Sequence, residues 1–251
     1  MLKNERDFEN YIKTPDEMIL TPNLGIPIVK GIKCKHPERL NLLEYHYCSH
    51  TPQAQRKNKT VHFFLSDYLF VRVWNHVDDN VKLLKQFGAC FSPDFSQYTD
   101  MPKAMKIWQH YKKMWVSAYW QLNGIRVIPT ACWSDEDSYE YCFEGMPKES
   151  CVAVSSLGVM NNSYAQGLFR QGYEEMKHQL NPSQIIFYGK KPDWIEDEVI
   201  HQTSSTDKRF EALNAKKQYQ TMFSSAEEIM KVDTLYKQTQ NMQQLLQERM
   251  M

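Results

Sequence analysis

The 251-residue sequence has no GxGxxG, no GxxxxGKS or GxxxxGKT, no GxSxG and no HExxH. Without these motifs the glycine-rich phosphate cradles, the lipase-type nucleophile elbow and the zincin metal pair lose their usual sequence support. There is no CxxC pair, and no apolar run near the ~18 residues that a membrane span requires. Net charge is missing too, since 30 Lys and Arg balance 30 Asp and Glu. No global field therefore draws the chain to nucleic acid or to an anionic membrane. The opening residues, MLKNERDFENYIKT, carry acidic groups where a signal peptide is apolar. Together these absences predict a cytoplasmic protein with no membrane partner.

What is present is the composition of a folded domain: 42% hydrophobic, 24% charged and 13% aromatic residues. That length suits one large domain, or a domain with an appended helix. Six cysteines lie at 34, 48, 90, 132, 142 and 151, and in such a chain they read as buried thiols acting as small apolar groups. Cys34, His36, His46, Cys48 and His50 have the ligand types that zinc takes, but their spacing does not fit the common finger or ribbon patterns. We expect a surface loop there, with no stoichiometric zinc and no metal site.

Along the chain, residues 1–60 read as an irregular N-terminal segment, interrupted by prolines, with Ile26–Val29 as its one candidate strand. An α/β core domain is expected over 61–200. Its strands are Val61–Asp67, Ala89–Asp94, Ile125–Asp135, Cys151–Gly158 and Gln184–Lys190, all nearly continuous apolar runs. Helical spacing marks 68–87, then a long helix capped by Thr99 or Asp100 with Pro102 in its first turn, then about 136–143, then 167–180. In the long helix, Ile107, Tyr111, Trp115 and Tyr119 form one apolar stripe. Pro129 removes a ladder donor, so a bulge or an edge is expected there. Residues 192–200 read as a further turn of helix, and 201–207 as a polar linker. A C-terminal helical extension occupies 208–251; it opens with a capping pattern near Ser225, and its short a/d seam allows packing on the domain or weak self-association.

Strands alternating with helices at this interval predict a parallel sheet of about five or six strands. The expected α/β fold is a small or incomplete β/α barrel, with an open doubly wound sheet as the alternative and a C-terminal helix appended. In either form the strands' C-terminal ends share one edge, where ligands bind. That edge gathers Asp67; Ser92, Asp94 and Ser96; Thr130, Trp133, Ser134 and Asp135; Ser155 and Ser156; Tyr188 and Lys190. We take Asp94 and Asp67 as candidate catalytic residues, and Ser92, Ser96, Trp133, Ser134, Ser155 and Ser156 as candidate ligand-binding residues. Asp135 is expected to cap the following helix. The run Ser155-Ser156-Leu157-Gly158 is a weak candidate phosphate loop. No histidine is placed at the site: His62 is assigned to the start of a strand, and His110 and His178 to exposed helix faces.

Several ordered blocks carry a resemblance. SPDFSQYTDMP is followed by WQHYKKMWVSAYWQ, GIRVIPTACW, GMPKESCVAVS and finally PSQIIFYG. Over roughly Val61–Gly189 these are similar to an uncharacterised family, a domain of unknown function found in bacteriophages, plasmids and mobile elements. Ala131-Cys132 before Trp133 departs from the family pattern, and the Cys34–His50 cluster lies outside the shared region. The resemblance implies a phage or mobile-element origin, hence a location in a host cell, and carries no activity, cofactor or partner with it. Two readings stand: a metal-assisted or carboxylate-dependent hydrolase acting on a nucleotide- or sugar-like ligand, and a non-enzymatic binding protein that modulates host or replication functions. The ligand or host protein partner is unspecified.

Overall fold

The computed structural model describes residues 16–34 and 40–205, with three isolated positions at 234, 237 and 238. The chain divides into two units, Met1–Gln202 and Thr203–Met251. His36, within the Cys/His cluster, and the capping pattern near Ser225 lie outside the described residues.

Seven short strands are described: β1 (Leu42–Glu44), β2 (Thr60–His62), β3 (Ala89–Phe91), β4 (Val127–Ile128), β5 (Cys151–Ser155), β6 (Gln184–Tyr188) and β7 (Val199–Gln202). Between them lie helices α1 (Gln53–Arg56), α2 (Arg72–Asn75), α3 (Val77–Leu84), α4 (Lys103–Leu122) and α5 (Ser163–Leu180). Every strand pair is parallel, and neighbours follow chain order, β1 to β4 in one ladder and β5 to β7 in another. Pro129 separates the two ladders. With no N–H to donate, it ends the β3–β4 pairing at Ile128, and its carbonyl accepts from Ala153 N at 2.8 Å. Ala131 N then donates to Ala153 O at 2.9 Å, around a Thr130–Ala153 bridge. The order is thus continuous from β1 to β7.

The sheet coils. Residues on β2 alternate sides, as the strand period requires. Phe63 packs outward, 5.5 Å between ring centroids from Trp120 of α4 and 5.7 Å from Phe70. His62 and Phe64 turn inward and meet Tyr188 of β6 at 4.7 and 5.1 Å, while Phe91 of β3 lies 5.6 Å from Phe64. Contact between strands two and six of one sequential parallel sheet requires the sheet to curl toward closure, the geometry of an incomplete β/α barrel. Each of these rings is buried, and each phenylalanine among them contributes roughly 1.5–3 kcal/mol.

The N-terminal segment closes the other end. Val29 N donates to Gly145 O at 2.9 Å, Ile32 O accepts from Cys151 N at 2.8 Å, and Cys34 exchanges hydrogen bonds with the side chain of Gln184 at 2.8 and 3.1 Å. Cys151 and Gln184 begin β5 and β6, so this segment lies across the strands' N-terminal ends.

Two expectations need correction. Sheet pairing begins within the first 60 residues, at Leu42–Glu44, whereas Ile26–Val29 makes only an antiparallel bridge between Pro27 and Leu20. Instead of helix at 192–200, Val199–Gln202 forms β7, because its backbone completes the free edge of β6. The parallel α/β arrangement is as expected, with four strands in one ladder and three in the other among the described residues.

Candidate functional site

The site is organised by the inner face of α4. Lys106, His110, Lys113 and Ser117, spaced four, three and four residues apart, are all buried. At helical spacing they share one face, and they meet the loop after β3 and the connection between β4 and β5. Lys106 Nζ lies 2.6 Å from Asp135 Oδ2. His110 Nε2 lies 2.8 Å from the carbonyl of Glu144. Lys113 Nζ donates to Thr130 O at 3.1 Å and to Cys132 Sγ at 3.4 Å. Ser117 Oγ donates to Ser92 Oγ at 2.9 Å. A polar stripe therefore fixes α4 against the edge where the strands end. The apolar stripe read from the sequence lies elsewhere, with Trp115 and Trp108 packed 5.5 Å from Trp74 of α2.

Asp94 stands in the loop that leads from β3 into α4. Its carboxyl is pushed up to about 6, chiefly by burial and also by the charge of Asp67, against the opposing pull of Lys113 and a hydrogen bond with Cys132. Oδ1 is enclosed and has no hydrogen-bond partner among the described residues. Burial pushes the Cys132 thiol up to about 12 despite Lys113 beside it, so Cys132 is a neutral thiol here and not an activated nucleophile. Gln97 Nε2 reaches Cys132 Sγ at 3.5 Å from the other side.

Asp67, following β2, is the second carboxylate of this cluster. It accepts from Ser96 N at 3.1 Å, from Ser96 Oγ at 2.8 Å and from Gln109 Nε2 at 3.4 Å. Lys112 Nζ lies 4.3 Å from the Phe95 ring centroid, and burial lowers its pKa against the opposing charge of Asp67. Asp67 and Ser96 are thus hydrogen-bonded to each other, and Asp94 lies near enough to feel the charge of Asp67.

The other predicted residues are placed differently. Trp133 is docked on α5, its ring 5.3 Å from Phe169 and stacked on it. Ser92 is a buried brace between Ser117 and Thr130. Ser134 Oγ donates to Asp135 Oδ1 at 3.0 Å. Asp135 itself makes no capping bond and holds Lys106, which contributes to keeping its carboxyl below the usual range against the effect of burial. Ser155 Oγ accepts from Leu157 N and Ser156 N donates to Tyr188 O, which uses two of the donors that a phosphate loop would need. Ser156 Oγ bonds to Lys190 O.

The histidines also depart from expectation. His62 ends β2 inside the coiled sheet, where burial pushes its pKa down to about 3. His110 is fully buried and not exposed, because the face it shares with Lys113 and Ser117 points at the strand ends; burial lowers its pKa well below the ordinary value. His178 is exposed, as read. Sequence reasoning missed Lys113, Gln97, Gln109 and the role of Cys132. The recoverable signal was the spacing of Lys106, His110, Lys113 and Ser117, a second helical stripe made of polar residues.

Among the described residues, no group of three His, Cys, Asp or Glu side chains is placed to hold a metal ion. A pocket of about 590 Å³ opens at the opposite edge, beside Phe143, Met146 and Leu180, and none of the predicted site residues lines it.

Residues 20–206 match the family described as a domain of unknown function, DUF4417. The chain belongs to that family. It is 42% identical over 141 residues to the Gene 1 protein of Mycobacterium phage L5, covering 56% of this chain and 62% of that protein. To the Gene 1 protein of Mycobacterium phage D29 it is 38% identical over 150 residues, covering 60% of this chain and 56% of that one. The chain therefore spans about three fifths of the length of these relatives. No solved structure matches it. The chain is thus similar to phage proteins, in keeping with the resemblance drawn from the sequence. No described helix of this DUF4417 chain is long and apolar enough to cross a membrane.

Proposed function

We propose that the cluster around Asp94 is the active site of a carboxylate-dependent hydrolase acting on a sugar- or nucleotide-like ligand. The observation that carries this reading is Asp94 itself: a carboxyl raised to about 6, with an enclosed Oδ1 that no group among the described residues satisfies. A carboxyl with a pKa in that range is suited to give and take a proton near neutral pH. In its neutral form Asp94 would protonate the oxygen of the breaking bond. The resulting carboxylate, its charge eased by Lys113, would then take a proton from the attacking water and return to its starting state. Asp67, fixed by Ser96 and Gln109, supplies a second negative charge for a positively charged transition state.

The test is release of an aryl leaving group from a panel of aryl glycosides and aryl nucleotide esters by the full chain. Activity should fall as pH rises above about 6, and Asp94→Asn should abolish it. Activity on some substrate that survives Asp94→Asn would remove Asp94 from this role.

A second reading has its own support. The inner aromatic layer of His62, Phe64, Phe91 and Tyr188 fills the coiled sheet, and the open pocket lies away from the carboxylates. Those features suit a binding protein that modulates host or replication functions. Phage or plasmid fitness that is unchanged by Asp94→Asn, yet lost on deletion of the chain, favours this reading.

A further inference from the structure

Net neutrality conceals a division of charge. No aspartate or glutamate occurs in 45–66, in 80–93 or in 101–134, whereas 135–149 and 193–198 are rich in them. The acid-free stretches contain β2, β3 and β4 together with the loops that lead into them.

The fold collects the cations of those loops. In a parallel sheet the strands start on one edge, here the edge opposite Asp67 and Asp94. Lys57 and Lys59 precede β2, Lys85 precedes β3 and Arg126 precedes β4. Backbone bonds hold the loops side by side: Gly88 N donates to Lys59 O at 3.0 Å, and Cys90 N to Arg126 O at 2.9 Å. Lys57 Nζ donates to Lys85 O at 3.0 Å, and Lys59 Nζ to Asn41 Oδ1, just before β1, at 3.2 Å. Gly88 permits the closest approach, since a Cβ there would lie 2.5 Å from Lys57 O. Lys57, Lys85 and Arg126 are exposed, and Lys59 is half-buried. The row is therefore set by pairing between strands.

No acid neutralises it. Among the described residues, none of these four cations takes part in an ion pair. Each of the two bonded ammonium groups, Lys57 and Lys59, keeps two further N–H donors. Asp78 and Asp79, at the start of α3, are engaged by Tyr119 Oη at 2.7 Å and by Lys82 Nζ at 3.5 Å. Like charges held side by side repel, and an anion laid across them relieves that cost.

The form of the row selects among anions. Neighbouring strands lie about 4.7–4.9 Å apart, so the cations step along the sheet edge and suit a polymer whose charges also repeat along one axis. The loops that hold them, 56–59, 85–88 and 124–126, present no exposed large apolar or aromatic side chain. A bilayer surface is gripped through apolar groups that insert, and a single strand through rings on which its bases stack. These loops offer contact to phosphates alone, which is how proteins hold a duplex without reading its sequence.

We infer that the row of Lys57, Lys59, Lys85 and Arg126 holds the phosphate backbone of a nucleic acid duplex. It lies on the edge opposite the carboxylates and does not depend on the hydrolase reading.

The experiment is fluorescence anisotropy of the full chain with labelled DNA and RNA duplexes of two unrelated sequences and with the corresponding single strands. Both sequences should bind alike. For the DNA duplex, log affinity should fall against log salt with a slope of about −3.6, as four phosphate contacts imply, a loss of roughly a hundredfold between about 50 and 200 mM. The double variant Lys57→Ala/Lys85→Ala should weaken binding by roughly tenfold and reduce the slope by about 2, and Arg126→Ala alone should reduce it by about 1. Arg126→Ala also decides the matter should the double variant fail to fold. Lys103→Ala/Lys190→Ala removes two exposed lysines from the opposite edge and should leave affinity and slope unchanged. Absence of duplex binding, duplex binding that the row variants leave unchanged, or tighter binding of single strands overturns the inference. So does tighter retention on phosphatidylserine vesicles than on duplexes. Self-association at low salt that the row variants abolish, in place of duplex binding, overturns it as well and assigns the row to the acidic half of a second copy.

Discussion

The imidazole of His62 lies 4.7 Å from the ring of Tyr188, centroid to centroid, although three strands separate β2 from β6 in the sheet. Only a coiled sheet brings them together, and the contact encloses a titratable ring. His62 is held down to about 3 from an ordinary 6.5, first by burial and then by the nearby His46. Its Nδ1 has no partner among the described residues.

That enclosure predicts a pH effect. A histidine whose folded pKa is depressed contributes stability above its unfolded value of 6.5, and that stability is lost as pH falls toward 3. Between these values the unfolded chain binds one more proton than the folded chain at this site. His62→Phe should lower the slope of stability against pH there by about 1.4 kcal/mol per pH unit. Urea titrations at several pH values measure it. An unchanged slope would mean that the ring can reach water.

A second prediction concerns Trp133 and Gly172. A Cβ added at Gly172 would come within 2.1 Å of Trp133 Nε1. Helix propensity alone predicts that Gly172→Ala in α5 stabilises by about 0.5–1 kcal/mol. The clash predicts the opposite sign, a loss of ~1–3 kcal/mol. Equilibrium unfolding decides between them, and the loss should shrink in a Trp133→Leu background because the two sites touch. A stabilised Gly172→Ala would show that Trp133 is not docked on α5.

Much of this arrangement was legible in the sequence. Nearly continuous apolar runs ending in Asp67, Asp94 and Asp135 fixed the parallel β/α pattern and the edge where carboxylates gather. Three kinds of information were not legible. β1 and β7 are short, and Leu42–Glu44 and Val199–Gln202 are only partly buried, so their pairing follows from the neighbouring edge and not from their own pattern. The inward turn of His62 depends on register, since one residue's shift along β2 would exchange it with Phe63. In α4, aromatic residues and the stripe of Lys106, His110, Lys113 and Ser117 occupy different faces of one helix. Hydrophobicity marks the first face, while the second is buried because the loop after β3 and the connection between β4 and β5 supply its partners.

A third prediction tests the division of the chain. All seven described strands lie between Leu42 and Gln202, within the first unit. A chain ending at residue 207 should therefore keep a single cooperative thermal transition, because each strand retains its neighbours. Calorimetry of the shortened and full chains makes the comparison. A broad, non-cooperative melt of the shortened chain would show that residues 208–251 belong to the folding unit.

The last prediction separates function from stability at Asp94. Its carboxyl is raised from 3.8 to about 6, so the neutral form is favoured in the folded state. The associated stability is fully present below about 3.8 and is lost as pH rises through about 6. Ionisation of this one group should therefore cost on the order of 1–3 kcal/mol at neutral pH. Asp94→Asn removes that cost while keeping the size of the side chain, so it should leave stability unchanged or raise it at neutral pH. A residue that caps a helix behaves oppositely, losing about 1 kcal/mol on replacement. If the cluster around Asp94 is the site, the same variant should abolish its activity, separating the two quantities in one protein. Denaturant unfolding at pH values either side of about 6 gives the stability, and phage or plasmid fitness with the variant gives the function. A variant that is less stable at neutral pH, with fitness falling only in proportion to the folded protein, would make Asp94 a structural residue and remove the site from this edge of the sheet.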